Sequence, residues 1–149
     1  MNQIHSEIYN TFKSGSKTYF NSSIFFPEKV RNDVFILYAF VRKADNFVDA
    51  IPQQSDEFYA FKNMYESSQE STSGDVIIDS FIDLMKRKNF DPQWVSAFLK
   101  SMEMDLTKSV YTTIEETLEY VYGSAEVIGL MMSAVLDLPE VSYPFACMQ

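Results

Sequence analysis

Val34-Phe35-Ile36-Leu37-Tyr38-Ala39-Phe40-Val41-Arg42-Lys43-Ala44-Asp45-Asn46-Phe47-Val48-Asp49 decides the fold. Its first eight residues are apolar without a break, a pattern that a buried strand and a buried helix share. The run lies inside a longer segment without Gly or Pro, which favours a helix. A helix apolar around most of its circumference belongs in the middle of a bundle. At an advance of ~100° per residue, Val30, Val34, Leu37, Val41 and Val48 share one stripe. Tyr38, Arg42, Asp45 and Asp49, spaced i, i+4, i+7 and i+11, stack along its edge.

Outward from this segment, helical spacing continues. Pro27 and Glu28 open the central helix, where Pro needs no donor and the acid meets the positive end of the dipole, and Pro52 closes it. Upstream, Ile4, Ile8, Tyr9 and Phe12 predict a short helix ending near Gly15. Downstream, helices are expected over 56–65, 75–88, 92–109 and 113–136. Asp91-Pro92 and Thr112-Thr113 serve as N-terminal caps, with Glu115 and Glu116 in the first turn of the last helix. The Ser/Thr/Gly-rich stretch from Ser67 to Gly74 reads as an exposed, mobile loop. Strand-type alternation is nowhere sustained, so the fold class is all-α, in a single domain over 1–149.

The 149 residues are 46% hydrophobic, 22% charged and 15% aromatic, with only 4 Gly and 5 Pro, a globular composition suited to long helices. The net charge of −9 argues against nucleic acid as a partner, because phosphate backbones are bound by clustered Lys and Arg. A phosphorylated small molecule stays compatible, since a bound metal reverses the local sign. One cysteine, Cys147, allows no intrachain disulfide and fits a reducing compartment, and the single His5 leaves no basis for His-based zinc chemistry. No apolar run reaches the ~18 residues that span a bilayer, and the N-terminus lacks a signal-peptide pattern. The expectation is a soluble, cytoplasmic protein.

Asp45 and Asp49 are electrostatically awkward. One turn apart at the C-terminal end of a buried helix, they repel each other, and the negative dipole end disfavours both. Two readings stand: a solvated helix end compensated by Arg42 and Lys43, or a divalent cation that supplies the missing charge. Magnesium takes oxygen ligands and commonly bridges one or two carboxylates to substrate phosphates. Arg42, on the same stripe, would then grip the phosphate directly.

The string Tyr38–Asp49 closely resembles the first aspartate-rich motif of the squalene/phytoene synthase family. Two further stations match in order: Ser16-Lys17-Thr18-Tyr19 followed by Phe25-Phe26-Pro27-Glu28, and Asp105 followed by Tyr120-Val121-Tyr122-Gly123-Ser124-Ala125-Glu126-Val127-Ile128-Gly129. The resemblance implies the N-terminal half of an isoprenoid-synthase helical bundle. It implies that two isoprenyl diphosphates are joined head to head, through an allylic cation and a cyclopropyl intermediate, to a C30 or C40 hydrocarbon. Catalytic roles fall on Asp45, Asp49 and Arg42, with Asp45 and Asp49 as metal ligands. Substrate contacts fall on Ser16, Lys17, Tyr38, Arg42, Asp105, Tyr120 and Ser124. The cofactor it implies is Mg2+, with Mn2+ as a substitute, and NADPH only where squalene is the product.

Geranylgeranyl diphosphate and phytoene are favoured over farnesyl diphosphate and squalene, on general similarity. The alternative is a catalytically inactive scaffold or assembly protein of the same fold. The sequence departs from the family at Asn46, where many relatives carry a further Asp, and at Glu126, where they carry a small residue. It also stops before the place of the family's second aspartate-rich motif, so a truncated domain is expected, inactive by itself. Such a domain should show either self-association or a large open apolar groove near the 113–136 helix, and an apolar product would bring peripheral membrane contact. The carboxylates are expected to point into a cavity. Gly123, Ser124, Ala125 and Gly129 leave room either for an apolar tunnel or for close helix packing.

Overall fold

A computed structural model describes residues 5–15, 26–107 and 110–137. In them the chain forms seven α-helices: α1 (Ser6–Gly15), α2 (Glu28–Asp49), α3 (Ser55–Ser67), α4 (Val76–Lys88), α5 (Pro92–Thr107), α6 (Ile114–Val121) and α7 (Val127–Val135). No strand occurs among the described residues, and the all-α expectation holds.

The apolar run puts α2 where its composition requires. None of the residues Val34 to Val41 is exposed, and the helix packs against α1, α3, α4, α5 and α7. Phe40 is the centre of the core: its ring stacks on Phe81 of α4 at 3.8 Å between centroids and meets Phe61 and Tyr65 of α3 at 5.1 and 5.6 Å. Parallel and edge contacts of this kind add to the area that the rings bury. The aromatic-rich composition is therefore spent largely on the helix junctions.

Local signals set the ends. Asp75 caps α4 by accepting from the backbone N–H groups of Ile77 and Ile78, at 2.9 and 3.2 Å. Lys86, Arg87 and Lys88 lie in the last turn of α4, and Asn89 ends it in the left-handed region at φ 54°. Asp91 accepts from the Gln93 N–H at 2.9 Å, and Thr113 from the Glu116 N–H at 3.1 Å, so both expected caps form. A feature without any periodic signal is Asp33, buried on α2. Both of its oxygens are taken by Arg87, at 2.9 and 3.1 Å, and this bidentate pairing makes the burial tolerable.

Three expectations gain detail. The helix over 113–136 runs without a gap, but it carries a π-helical turn, Tyr122–Glu126, between α6 and α7. A Cβ on Gly123 would collide with the carbonyl oxygen of Ala97 and lie 2.8 Å from the Ser101 Cβ, so the widened turn sits where two backbones meet. Gly123 thus serves close packing. The 67–74 loop is mostly exposed, but Ser68 is buried, and Ser73 gives both its N–H and its hydroxyl to Asp79 at 2.8 Å. Near the expected groove there is an exposed apolar face: Ile114, Leu118, Val121 and Tyr122 keep 75, 62, 41 and 40% of their surface in solvent, and α6 buries no residue.

Candidate active site

The last turns of α2 and α5 are brought together by α2 packing on α5, and each presents carbonyl oxygens, the negative end of its dipole. Gln53 ties them: its Nε2 donates to the carbonyls of Val48 at 2.9 Å and Asp105 at 3.0 Å. The last turn of α2 contains no basic residue. Into this negative corner project Asp45, Asp49 and Asp105, close enough that Asp49 and Asp105 both act on Asp45, and Asp49 on Asp105.

Asp45 is half-buried, and its carboxyl lies within hydrogen-bonding reach of Asp49. Burial first, then the Asp49 carboxylate and its hydrogen bond, push the Asp45 carboxyl up to about 6, against the pull of Arg42. Arg42 donates from Nη1 to Asp45 Oδ2 at 3.3 Å. Lys43, which the compensated-end reading also needs, points elsewhere. It pairs with Asp75 at 2.8 Å and lies 5.9 Å from the centre of the Phe61 ring. The compensation is therefore left to Arg42.

Asp105 holds the opposite side. Tyr120 of α6 donates to its Oδ2 at 3.1 Å and Tyr111 to its Oδ1 at 3.4 Å, and the two rings lie 5.1 Å apart at 33°. Burial raises the Asp105 carboxyl above the usual carboxylate range, the Tyr120 hydrogen bond opposes the rise, and the Asp49 charge adds to it. Burial and the Asp105 charge push the Tyr120 phenol up to about 12, which keeps it a neutral donor.

The structure thus gathers Arg42, Asp45, Asp49, Asp105 and Tyr120. Tyr38 lies one turn before Arg42 on α2, half-buried and packed against the core. Ser124 is half-buried in the π-helical segment and is not among the described partners of Asp105. Ser16 and Lys17 lie outside the described residues. One expectation is corrected: Asp49 is exposed, so the carboxylates sit at an open helix end and not in a closed cavity. Being the last residue of α2 leaves it at the rim. Among the described residues, no three His, Cys, Asp or Glu side chains are arranged to hold a metal. The sequence reading missed Tyr111 and Gln53, both of which lie between helices, where periodicity says nothing.

Fold and site together define an all-helical protein with an oxygen-rich, acidic site at the meeting ends of two helices. The family model for squalene/phytoene synthase matches residues 12–148, and the chain belongs to that family. It is 27% identical over 127 residues to the 15-cis-phytoene synthase of Synechococcus elongatus, a match covering 83% of this chain and 41% of that protein. It is 25% identical over 146 residues to the phytoene synthase of Pseudescherichia vulneris, covering 86% and 45%. It is 28% identical over 129 residues to the 15-cis-phytoene synthase of a Synechocystis species, covering 83% and 37%. The chain thus spans less than half the length of these curated relatives.

Proposed function

We propose that the chain serves head-to-head joining of two isoprenyl diphosphates, geranylgeranyl diphosphate to phytoene in first place and farnesyl diphosphate to squalene in second. The carrying observation is the Asp45–Asp49 pair, two carboxyls within hydrogen-bonding reach at a helix end with a single guanidinium beside them. The names of the relatives support the C20 substrate.

The donors fit magnesium: two carboxylates with hard oxygen ligands, one of them pushed toward its protonated form by burial and by the other's charge. Asp45 and Asp49 would hold the ion, with Mn2+ as a substitute. When bound, the cation supplies charge neutralisation of the departing diphosphate. Arg42 is placed to move from Asp45 to a diphosphate oxygen, exchanging one charge-assisted hydrogen bond for another. Tyr120, kept neutral and fixed on Asp105, orients the substrate beside the carboxylates. NADPH enters only in squalene formation. Self-association or peripheral membrane contact would cover the apolar face of α6.

A catalytically inactive scaffold or assembly protein of the same fold is the second reading, for which the exposed apolar stripe of α6 speaks. Magnesium-dependent binding of geranylgeranyl diphosphate by this chain decides between them. Binding that is weak but metal-dependent, and lost in Asp45→Asn, is expected from two carboxylates and a diphosphate. Metal-independent binding, or an Asn variant that binds as well as the wild type, would favour the scaffold. A product assay on the complete gene product with each diphosphate then separates phytoene from squalene formation, and Asp45→Asn should abolish turnover.

A further inference from the structure

Tyr111 lies in the turn between α5 and α6, whose neighbours Val110, Thr112 and Thr113 are all exposed. It alone of this group turns inward, half-buried. Its hydroxyl ends on Asp105 Oδ1, while Tyr120 serves Oδ2, and the two rings lie against each other. A ring placed for packing alone has no need to end on a carboxylate that already has a donor. The torsion that rotates a carboxylate plane is broad and nearly two-fold, so one donor leaves the plane free to swing. Donors on both oxygens restrain that rotation, the 3.4 Å contact of Tyr111 more weakly than the 3.1 Å contact of Tyr120, and the rings lie against each other.

The position has a further consequence. Asp105 feels the charge of Asp49 across the site, and a carboxylate free to rotate would turn its oxygens away from that charge. Gln53 holds the Asp105 backbone through its carbonyl but leaves the side chain free. The side chain is therefore held from α6 by Tyr120 and from the turn before α6 by Tyr111.

We infer that Tyr111 is a positioning residue of the diphosphate site, which acts by locking the Asp105 carboxylate and the Tyr120 phenol in one arrangement. The inference rests on the reading of the site proposed above, and names a residue that reading does not need. The test is a double-mutant cycle, Tyr111→Phe against Asp105→Ala, in the 149-residue chain, with magnesium and inorganic pyrophosphate as the probe. Tyr111→Phe keeps the ring and removes only the hydroxyl. It should weaken magnesium-dependent pyrophosphate binding by roughly 5-fold, the worth of a hydrogen bond to a charged group weakened by its length. In the Asp105→Ala background the same change should have no effect on binding. A purely structural tyrosine would instead lower thermal stability by the same amount in both backgrounds and leave the affinity unchanged. That outcome, or an equal loss of affinity in both backgrounds, overturns the role of Tyr111 alone. A wild-type chain with no magnesium-dependent binding of pyrophosphate overturns the reading of the site together with it.

Discussion

Asp45 carries the clearest conflict between stability and use. Its carboxyl is held at about 6, above the ordinary 3.8, by burial and by Asp49. Between those two values the folded chain binds more protons than the unfolded one, so stability falls as pH rises through that window and is flat above it. Asp45→Asn removes the charge and keeps the shape. Without metal, the Asn variant should melt higher than the wild type at pH 7 and lose the decline between about pH 4 and 6. Added magnesium with a diphosphate should raise the wild-type melting temperature and leave the variant unmoved. Thermal scans at four pH values with and without the additives check both statements, and a variant less stable than the wild type at pH 7 would contradict them.

At the scale of the element, the π-helical turn between α6 and α7 sets where Tyr120 can reach. Gly123 lies against Ala97 and Ser101 of α5, and Tyr120 is less than one turn before it. The close approach thus holds α6 against the helix that carries Asp105. Gly123→Ala must push the backbones apart, because the obstructing atom is a carbonyl oxygen and not a movable side-chain tip. The expected cost is about 1–3 kcal/mol, typical of overpacking. Because the shift falls beside Tyr120, affinity for pyrophosphate with magnesium should fall as well. Chemical denaturation and binding measured on the same preparation test this. Unchanged stability would mean that the turn relaxes freely.

Across the whole molecule, two surfaces contrast. The interior gathers on α2 around Phe40 and is closed, with no buried side-chain polar atom lacking a partner among the described residues. The α6 face is open: Ile114, Leu118 and Val121 follow one another at helical spacing in solvent. No helix among the described residues is long and apolar enough to cross a membrane. An apolar stripe on a chain of charge −9 should draw copies together at raised concentration and salt, where repulsion is screened. Sedimentation velocity should show concentration-dependent association, reduced by Leu118→Lys at unchanged helix content. A wild type that stays monomeric across the range would leave this face without a partner of its own kind.

What the sequence determined by itself is the part that depends on period and order. The apolar run of Val34 to Val41, set in a longer stretch without Gly or Pro, specified a central helix, since a helix apolar around most of its circumference must be enclosed by others. The four-residue spacing specified that Asp45 and Asp49 meet, because one turn separates them in any α-helix. Caps at Asp91 and Thr113 were equally legible, being local hydrogen bonds. Only the tertiary structure decided that Lys43 leaves the carboxylates for Asp75, that Arg87 reaches Asp33, and that Tyr111 comes back to Asp105. Each joins side chains whose meeting depends on how helices cross or how a turn folds back, and no periodicity within one helix encodes that. The π-helical turn at Tyr122–Glu126 was no more legible: it lies where Gly123 meets the backbone at Ala97, on another helix.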